Sequence, residues 1–453
     1  MNDAYLTEAE HGLSLATAAA CFPCPACLGA SDAQTAEMLG ETVAEAAVEE
    51  RIGLIVGPAV GDLSSEPVIA GELMAAMVRG AMSRGVGLIP RCTSAADLPA
   101  LRVLLKRVTP WALARGNGPV RCAETEDPSS DELRVLGFEG PVLSGDEAAH
   151  PTERTEALLR LAAESYRPNE DFFAGQQHHM ARRIARECLV LLKNRNGLVP
   201  LHSNRRIVFI GRCAQEPLIQ SERYPVRPAE LTSALEAVRS VCHVTYTDGS
   251  DHAEAVRMAK DADAAVIFAA QPDAAADALP AATDALIEAV CAARPETVVV
   301  LHNARPVAMP WLDRAAAVLE AWLPGQAGGA AIVDVLFGGV GACGLLAAPY
   351  TVGERTLFPA GYGLCGGACA LDGLTQTDGE ATVTVTLNGS VPGKVPVCFR
   401  DAAGALLAVA KPMLFPGMTM PVTVTLPEGT RVRVAETHAA DGTTITAGCP
   451  ENR

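Results

Sequence analysis

At 453 residues the chain is too long for one ordinary core and divides into two or three domains. Hydrophobic residues at 49% with 20% charged exclude a disordered chain. A net charge of -17 excludes a nucleic-acid groove or an anionic membrane as partner, because both would repel such a surface, and leaves neutral or cationic small ligands.

The apolar patch from Leu13 to Cys27 follows Asp3, Glu8 and Glu10 with no Lys or Arg, so it lacks the basic start of a secretory signal. The chain is therefore expected to be cytoplasmic. No apolar run reaches the roughly 20 residues needed to span a bilayer. The 14 cysteines are scattered, which favours reduced thiols over a disulfide framework. Cys21, Cys24 and Cys27 form a CxxCxxC cluster without a nearby fourth ligand, so neither a metal nor another cofactor is expected.

Residues 1–175 alternate short apolar runs with amphipathic helices, the pattern of βα units. Candidate strands are Ile52–Val56, Val86–Ile89, Trp111–Ala114 and Gly140–Leu143. Candidate helices are Thr35–Glu50, where Ala36, Leu39, Val43 and Ala47 recur at helical spacing, and Gly71–Met82. A complete (β/α) barrel takes about 250 residues, so this region reads as a trimmed one. Residues 176–204 read as a helix and linker, in which a helical apolar run turns into the start of a strand through Asn196-Gly197 and stops at Pro200. His178-His179 in this segment read as a solvated pair.

Residues 205–364 alternate strictly: strand Ile207–Gly211, helix Pro228–Ser240, strands His243–Tyr246 and Ala264–Phe268, helix Ala282–Ala293, strand Thr297–Leu301 and helix Gly328–Leu336. Such alternation predicts a mostly parallel sheet covered on both faces. Gly339-Val-Gly-Ala-Cys-Gly344 fits GxGxxG but follows a helix, which argues against a dinucleotide site. In residues 365–453 the period changes to two, with Thr382–Leu387 and Val422–Leu426 as half-buried antiparallel strands.

The string Glu187-Cys-Leu-Val-Leu-Leu-Lys-Asn-Arg-Asn-Gly-Leu-Val-Pro-Leu201 resembles the one that joins the catalytic barrel to the second domain in glycoside hydrolase family 3, chiefly β-glucosidases. Further strings resemble that family in the same order: His11-Gly-Leu13, Gly53–Pro58, Gly137-Phe-Glu-Gly140, Val298–Asn303, Glu320–Gln326 and Phe358–Leu364. The resemblance implies a multidomain α/β fold: a trimmed (β/α) barrel, an α/β sandwich, and a shortened fibronectin-type-III-like β-sandwich.

Retaining glycoside hydrolysis needs two carboxyl groups about 5 to 5.5 Å apart. Aligned without a gap, the resemblance puts Gly145 at the nucleophile position, and a local slip of one residue would bring in Asp146. The family's acid/base loop corresponds to Ala269–Pro280, which has no Glu and offers Asp273 or Asp277. Positions that hold sugar hydroxyls in the family read Glu8 and Arg91-Cys92; Arg91 keeps a cation able to fork onto vicinal hydroxyls, whereas Cys92 loses an imidazole. The expectation is a β-glucosidase-type homologue with a small sugar or glycoside as ligand, able to form homo-oligomers, with hydrolysis of terminal β-glycosides lost or strongly reduced. The alternatives are an active retaining exo-β-glycosidase using Asp146, and a poorly folding gene fragment.

Overall fold

The computed structural model describes residues 6–8, 23, 25–49, 52–115, 133, 135–143, 153–165, 174–219, 228, 230–273, 276–377, 379–427 and 429–448. The chain divides into two compact units, residues 1–184 with 224–230, and 185–223 with 231–453.

The first unit is built in the order β1 (Leu6–Glu8), α1 (Ala33–Glu49), β2 (Leu54–Ala59), α2 (Pro67–Ser83), β3 (Gly87–Cys92), α3 (Leu98–Arg107), β4 (Leu113–Arg115), β5 (Val142–Leu143) and α4 (Glu153–Ser165). Its five strands are parallel and lie side by side in chain order. The alternation read from the sequence is present, with β2 displaced to later residues than Ile52–Val56. Leu39, Val43 and Ala47 line the buried stripe of α1, as their spacing predicts. Leu158 and Ala162 of α4 pack on Leu54, Val56, Ile89 and Leu143 of the sheet.

Helices α1 and α2 approach closely enough that each needs a glycine. A Cβ at Gly40 would sit 2.1 Å from the Met77 carbonyl oxygen, and one at Gly80 would sit 2.1 Å from that of Glu37. The seam is thus backbone against backbone.

Helix α5 (Ala174–Cys188) leads into the second unit and corrects the reading of His178-His179 as a solvated pair. His179 is exposed, but His178 is 8% exposed, with Nε2 at 3.7 Å from Glu230. Neighbours on a helix point about 100° apart, so one faces inward and the other outward.

The second unit continues with β6 (Val190–Asn194), β7 (Ile207–Ile210), β8 (Val244–Thr247), α6 (His252–Asp261), β9 (Ala264–Ala270), α7 (Ala281–Ala293), β10 (Thr297–His302), β11 (Ala317–Glu320) and α8 (Gly328–Leu336). Its sheet runs β6-β11-β10-β9-β7-β8, parallel except for β6. The apolar run at Leu189–Leu192 is therefore not helical: it forms most of an antiparallel edge strand buried on both faces, and a short apolar run buried all round carries no period that separates strand from helix. Asn196 and Gly197, at φ 58° and 60°, end the strand. The expected helix over Pro228–Ser240 also shortens, to Ala234–Ala237 and a following 3-10 turn. Thr232 N–H is drawn to the Gln326 carbonyl at 3.0 Å, and Ser233 stays extended to cap the Glu236 N–H at 3.1 Å.

Beyond α8, Gly344 lies against the Leu189 backbone, where a Cβ would come within 2.2 Å of the carbonyl oxygen. This glycine of the GxGxxG string serves packing. After the hairpin β12 (Tyr350–Val352) and β13 (Arg355–Phe358), the chain forms β14 (Cys369–Thr377), β15 (Glu380–Leu387), β16 (Gly393–Lys394), β17 (Val397–Arg400), β18 (Leu406–Ala410), β19 (Met413–Leu414), β20 (Thr419–Thr425), β21 (Val434–His438) and β22 (Thr444–Gly448). A three-stranded sheet β14-β15-β20 and a four-stranded sheet β18-β17-β21-β22 share a core that includes Val383, Val385, Phe399 and Ala435. Burial alternates along β15 as the period of two predicts.

Among the described residues, ten cysteines are free thiols and all but Cys242 are buried. No described helix is long and apolar enough to cross a membrane.

Candidate functional site

Parallel strands bring their carboxyl ends to one edge, where α/β sheets hold ligands. In the first unit that edge carries Glu8 at the end of β1, Arg91-Cys92 at the end of β3 and Arg115 at the end of β4. Glu8 pairs in register with Val56, Arg91 with Ala59 and Ala114, and Cys92 with Arg115. The two expected sugar-holding residues, Glu8 and Arg91, thus share an edge with β2 between them. Arg91 is 5% exposed. Cys92 is fully buried, its Sγ 3.5 Å from the Ser94 carbonyl oxygen. Asp146, with Gly145, follows β5 and lies outside the described residues.

Asp97 fixes the loop that leaves β3. Its carboxylate accepts from Thr93 N–H at 2.6 Å, Thr93 Oγ1 at 3.0 Å and Ser94 N–H at 3.2 Å, and Ser94 caps the turn reciprocally. Gly61 leaves room for it, since a Cβ there would be 2.4 Å from Asp97 Oδ1. Sequence reasoning missed Asp97, although Ser94-x-x-Asp97 ahead of the helical Leu98–Arg107 is a capping-box signal.

The second unit collects polar groups at the corresponding edge of its own sheet. Asp273 and Asp277 lie on the loop after β9, and both are exposed. Gln271, 7% exposed, holds both ends of that loop: its Oε1 accepts from Asp273 N–H at 3.0 Å and its Nε2 donates to the Ala278 carbonyl. The Asp277 carbonyl accepts from Ala308 N–H at 2.7 Å. Asp273 and Asp277 therefore sit on an outer, anchored loop.

Below that loop, Glu320 at the end of β11 is fully buried. Its Oε1 accepts from Trp322 N–H at 2.9 Å, and its Oε2 accepts from Asn303 Nδ2 and the Tyr350 hydroxyl, each at 3.2 Å. Tyr350 in turn accepts from Val307 N–H at 3.0 Å. Burial pushes the Glu320 carboxyl up to about 8 against the pull of these three donors. Burial also lowers His302 to about 4, so the ring is neutral at physiological pH. His302 Nδ1, Asn303 Oδ1 and Trp322 Nε1 are buried with no partner among the described residues, and Trp322 holds a left-handed backbone at φ 52°. This cluster ties the ends of β10 and β11 to the hairpin β12–β13. A sealed carboxyl of this kind orders backbone and does not meet a substrate.

Comparison with known proteins places these edges in context. Residues 189–364 match the glycosyl hydrolase family 3 C-terminal domain. An exo-alpha-(1->6)-L-arabinopyranosidase of Bifidobacterium breve is 27% identical over 383 aligned residues, 60% of this chain and 50% of the relative. The chain thus spans about half the length of that curated relative. A family 3 β-glucosidase structure from Bifidobacterium adolescentis superposes with a TM-score of 0.81 at 23% identity, covering 98% of this chain and 90% of the other. A β-glucosidase from Streptomyces venezuelae in complex with D-glucose gives a TM-score of 0.77 at 17% identity, covering 98% and 94%. The domain match and the shared fold agree: residues 189–364 carry the glycosyl hydrolase family 3 C-terminal domain, and the chain has the fold of family 3 β-glucosidases.

Proposed function

We propose that this chain binds a small sugar or glycoside at the carboxyl edge of its first sheet, through Glu8 and Arg91, and that its hydrolysis of terminal β-glycosides is lost or strongly reduced. The observation that carries this reading is the loop Ala269–Pro280. It has no Glu, and its Asp273 and Asp277 are exposed on a segment anchored by Gln271. An acid one methylene shorter and displaced by about 1 Å loses on the order of 100-fold in rate. Gly145 at the nucleophile position supports the same reading. The glucose complex of the Streptomyces protein and the arabinopyranosidase relative support a pyranose ligand.

On the same footing, residues 1–175 form a trimmed (β/α) barrel, residues 176–204 a helix and linker, residues 205–364 the α/β sandwich, and residues 365–453 a fibronectin-type-III-like β-sandwich. The consecutive parallel order β1 to β5 and the two antiparallel sheets sharing one core support this division.

The test is turnover of aryl β-glucosides and α-L-arabinopyranosides beside Asp146→Ala, with calorimetric titration of glucose. Binding without turnover is the expected result, with Arg91→Gln weakening binding about tenfold or more. Turnover abolished by Asp146→Ala would replace this reading with a working retaining glycosidase.

A further inference from the structure

At the opposite, amino-terminal edge of the second unit's sheet lies a cavity of about 530 Å³, walled by Arg195, Pro200, His202, Arg205, Glu296 and Ala316 among others. It is formed where β6 ends and where β7, β10 and β11 begin. Among the described residues, no carboxylate pairs with Arg195 or Arg205. Arg195 makes one long contact, Nη2 to the Arg314 carbonyl oxygen at 3.4 Å. The acid among the cavity residues, Glu296, faces the Arg294 guanidinium at 3.6 Å. Lys193 and Arg314 add positive charge near Arg195; Lys193 Nζ is turned to the Leu312 and Asp313 carbonyls, with Asp313 the nearby acid. On a chain of net charge -17, two unpaired guanidinium groups walling one cavity stand against the general field.

The walls are held in place before any ligand arrives. Arg195 N–H donates to the Ala316 carbonyl at 2.7 Å, and Asn194, 2% exposed, grips Val199 at both its N–H (2.9 Å) and its carbonyl (2.7 Å). Leu201 N–H is fastened to the Leu336 carbonyl at 2.7 Å. Arg195 is thereby presented from a fixed turn, and Arg205 N–H closes a second turn on the His202 carbonyl at 3.1 Å, which limits the ordering cost of binding.

We infer that this cavity is a binding site for a small phosphate-bearing molecule, with Arg195 and Arg205 forking onto the phosphate oxygens. Its volume falls in the range of small-molecule sites, about 300–1,000 Å³, and leaves room for a group of sugar size beyond the phosphate. The site lies at the other end of the sheet from Gln271 and Glu320 and does not depend on the function proposed above.

The experiment is calorimetric titration of the full chain with inorganic phosphate and with glucose 6-phosphate, against sodium chloride at equal ionic strength. Saturable binding is expected, weakened about tenfold or more by Arg195→Gln and by Arg205→Gln. Glu296→Gln should tighten binding, a gain that misfolding cannot imitate. Arg79→Gln, which removes a cation of the first unit, should change nothing. The inference is overturned by phosphate binding weaker than about 10 mM, by equal binding of chloride, or by indifference to both arginine substitutions.

Discussion

Glu320 sets a pH dependence that can be worked out in sign. Its carboxyl has an ordinary value of 4.5 and sits at about 8 in the folded protein because it is buried. Between those values the folded state keeps a proton that the unfolded chain releases, so stability falls as pH rises from about 4.5 to about 8. His302 acts the other way: lowered from 6.5 to about 4, it makes stability fall as pH drops through that interval. The two oppose each other below about 6.5, and above it Glu320 acts without opposition from His302. Thermal midpoints should therefore decline between pH 6.5 and 8, and Glu320→Gln should remove that part of the decline. An unchanged slope in the variant would show that Glu320 is already ionised. Glu320→Ala leaves Trp322 N–H, Asn303 and Tyr350 without their acceptor and should destabilise by about 2–4 kcal/mol, read by urea unfolding. Glu320 was legible as an acid set in the apolar Ala317–Leu323 segment, which demands buried partners. Its partners were not, because Asn303 and Tyr350 reach it only through the sheet and the hairpin.

Among elements, the α1–α2 seam opposes intrinsic propensity to packing. Alanine in a helix interior is favoured over glycine by about 1 kcal/mol. At Gly80, however, the added Cβ would meet the Glu37 carbonyl oxygen at 2.1 Å, and backbone cannot swing aside as a side chain can. Gly80→Ala should therefore destabilise the first unit by about 1–3 kcal/mol, measured by urea unfolding. Asn194→Ala should cost about 2–4 kcal/mol by releasing both polar groups of Val199 where they are buried. Helix α1 could be read from the spacing of Leu39, Val43 and Ala47, whereas the reason for Gly40 within it could not, since that reason is Met77 of another helix. Strand β6 was misread for a related cause: Leu189–Leu192 is apolar throughout, and only its neighbour β11 decides its conformation. Helix α6 passed unnoticed although Asp251 marks its start, accepting from Ala253 N–H at 2.9 Å and Glu254 N–H at 3.0 Å.

For the molecule as a whole, the order of architectures was readable because the hydrophobic period itself changes along the chain, from βα alternation to the two-residue period of β15. The candidate site was readable in part. Glu8 and Arg91 came from the family resemblance alone, since the strand Leu6–Glu8 was not read, and the residues that stiffen their edge, such as Asp97, make contacts no spacing records. The basic cavity was invisible for the same reason, since Arg195, Arg205, Glu296 and Ala316 are gathered by sheet order alone. The buried thiols carry a practical consequence. Burial pushes Cys213 and Cys398 up to about 12 and Cys291 up to about 11, so each is protonated and shielded while its surroundings stay closed. Alkylation followed by peptide mapping should mark Cys242 early and these three only as fast as their surroundings open, while Cys92 reports on the first unit. Without any engineered probe, the protein carries its own stopwatches, buried in both of its units and started by local opening.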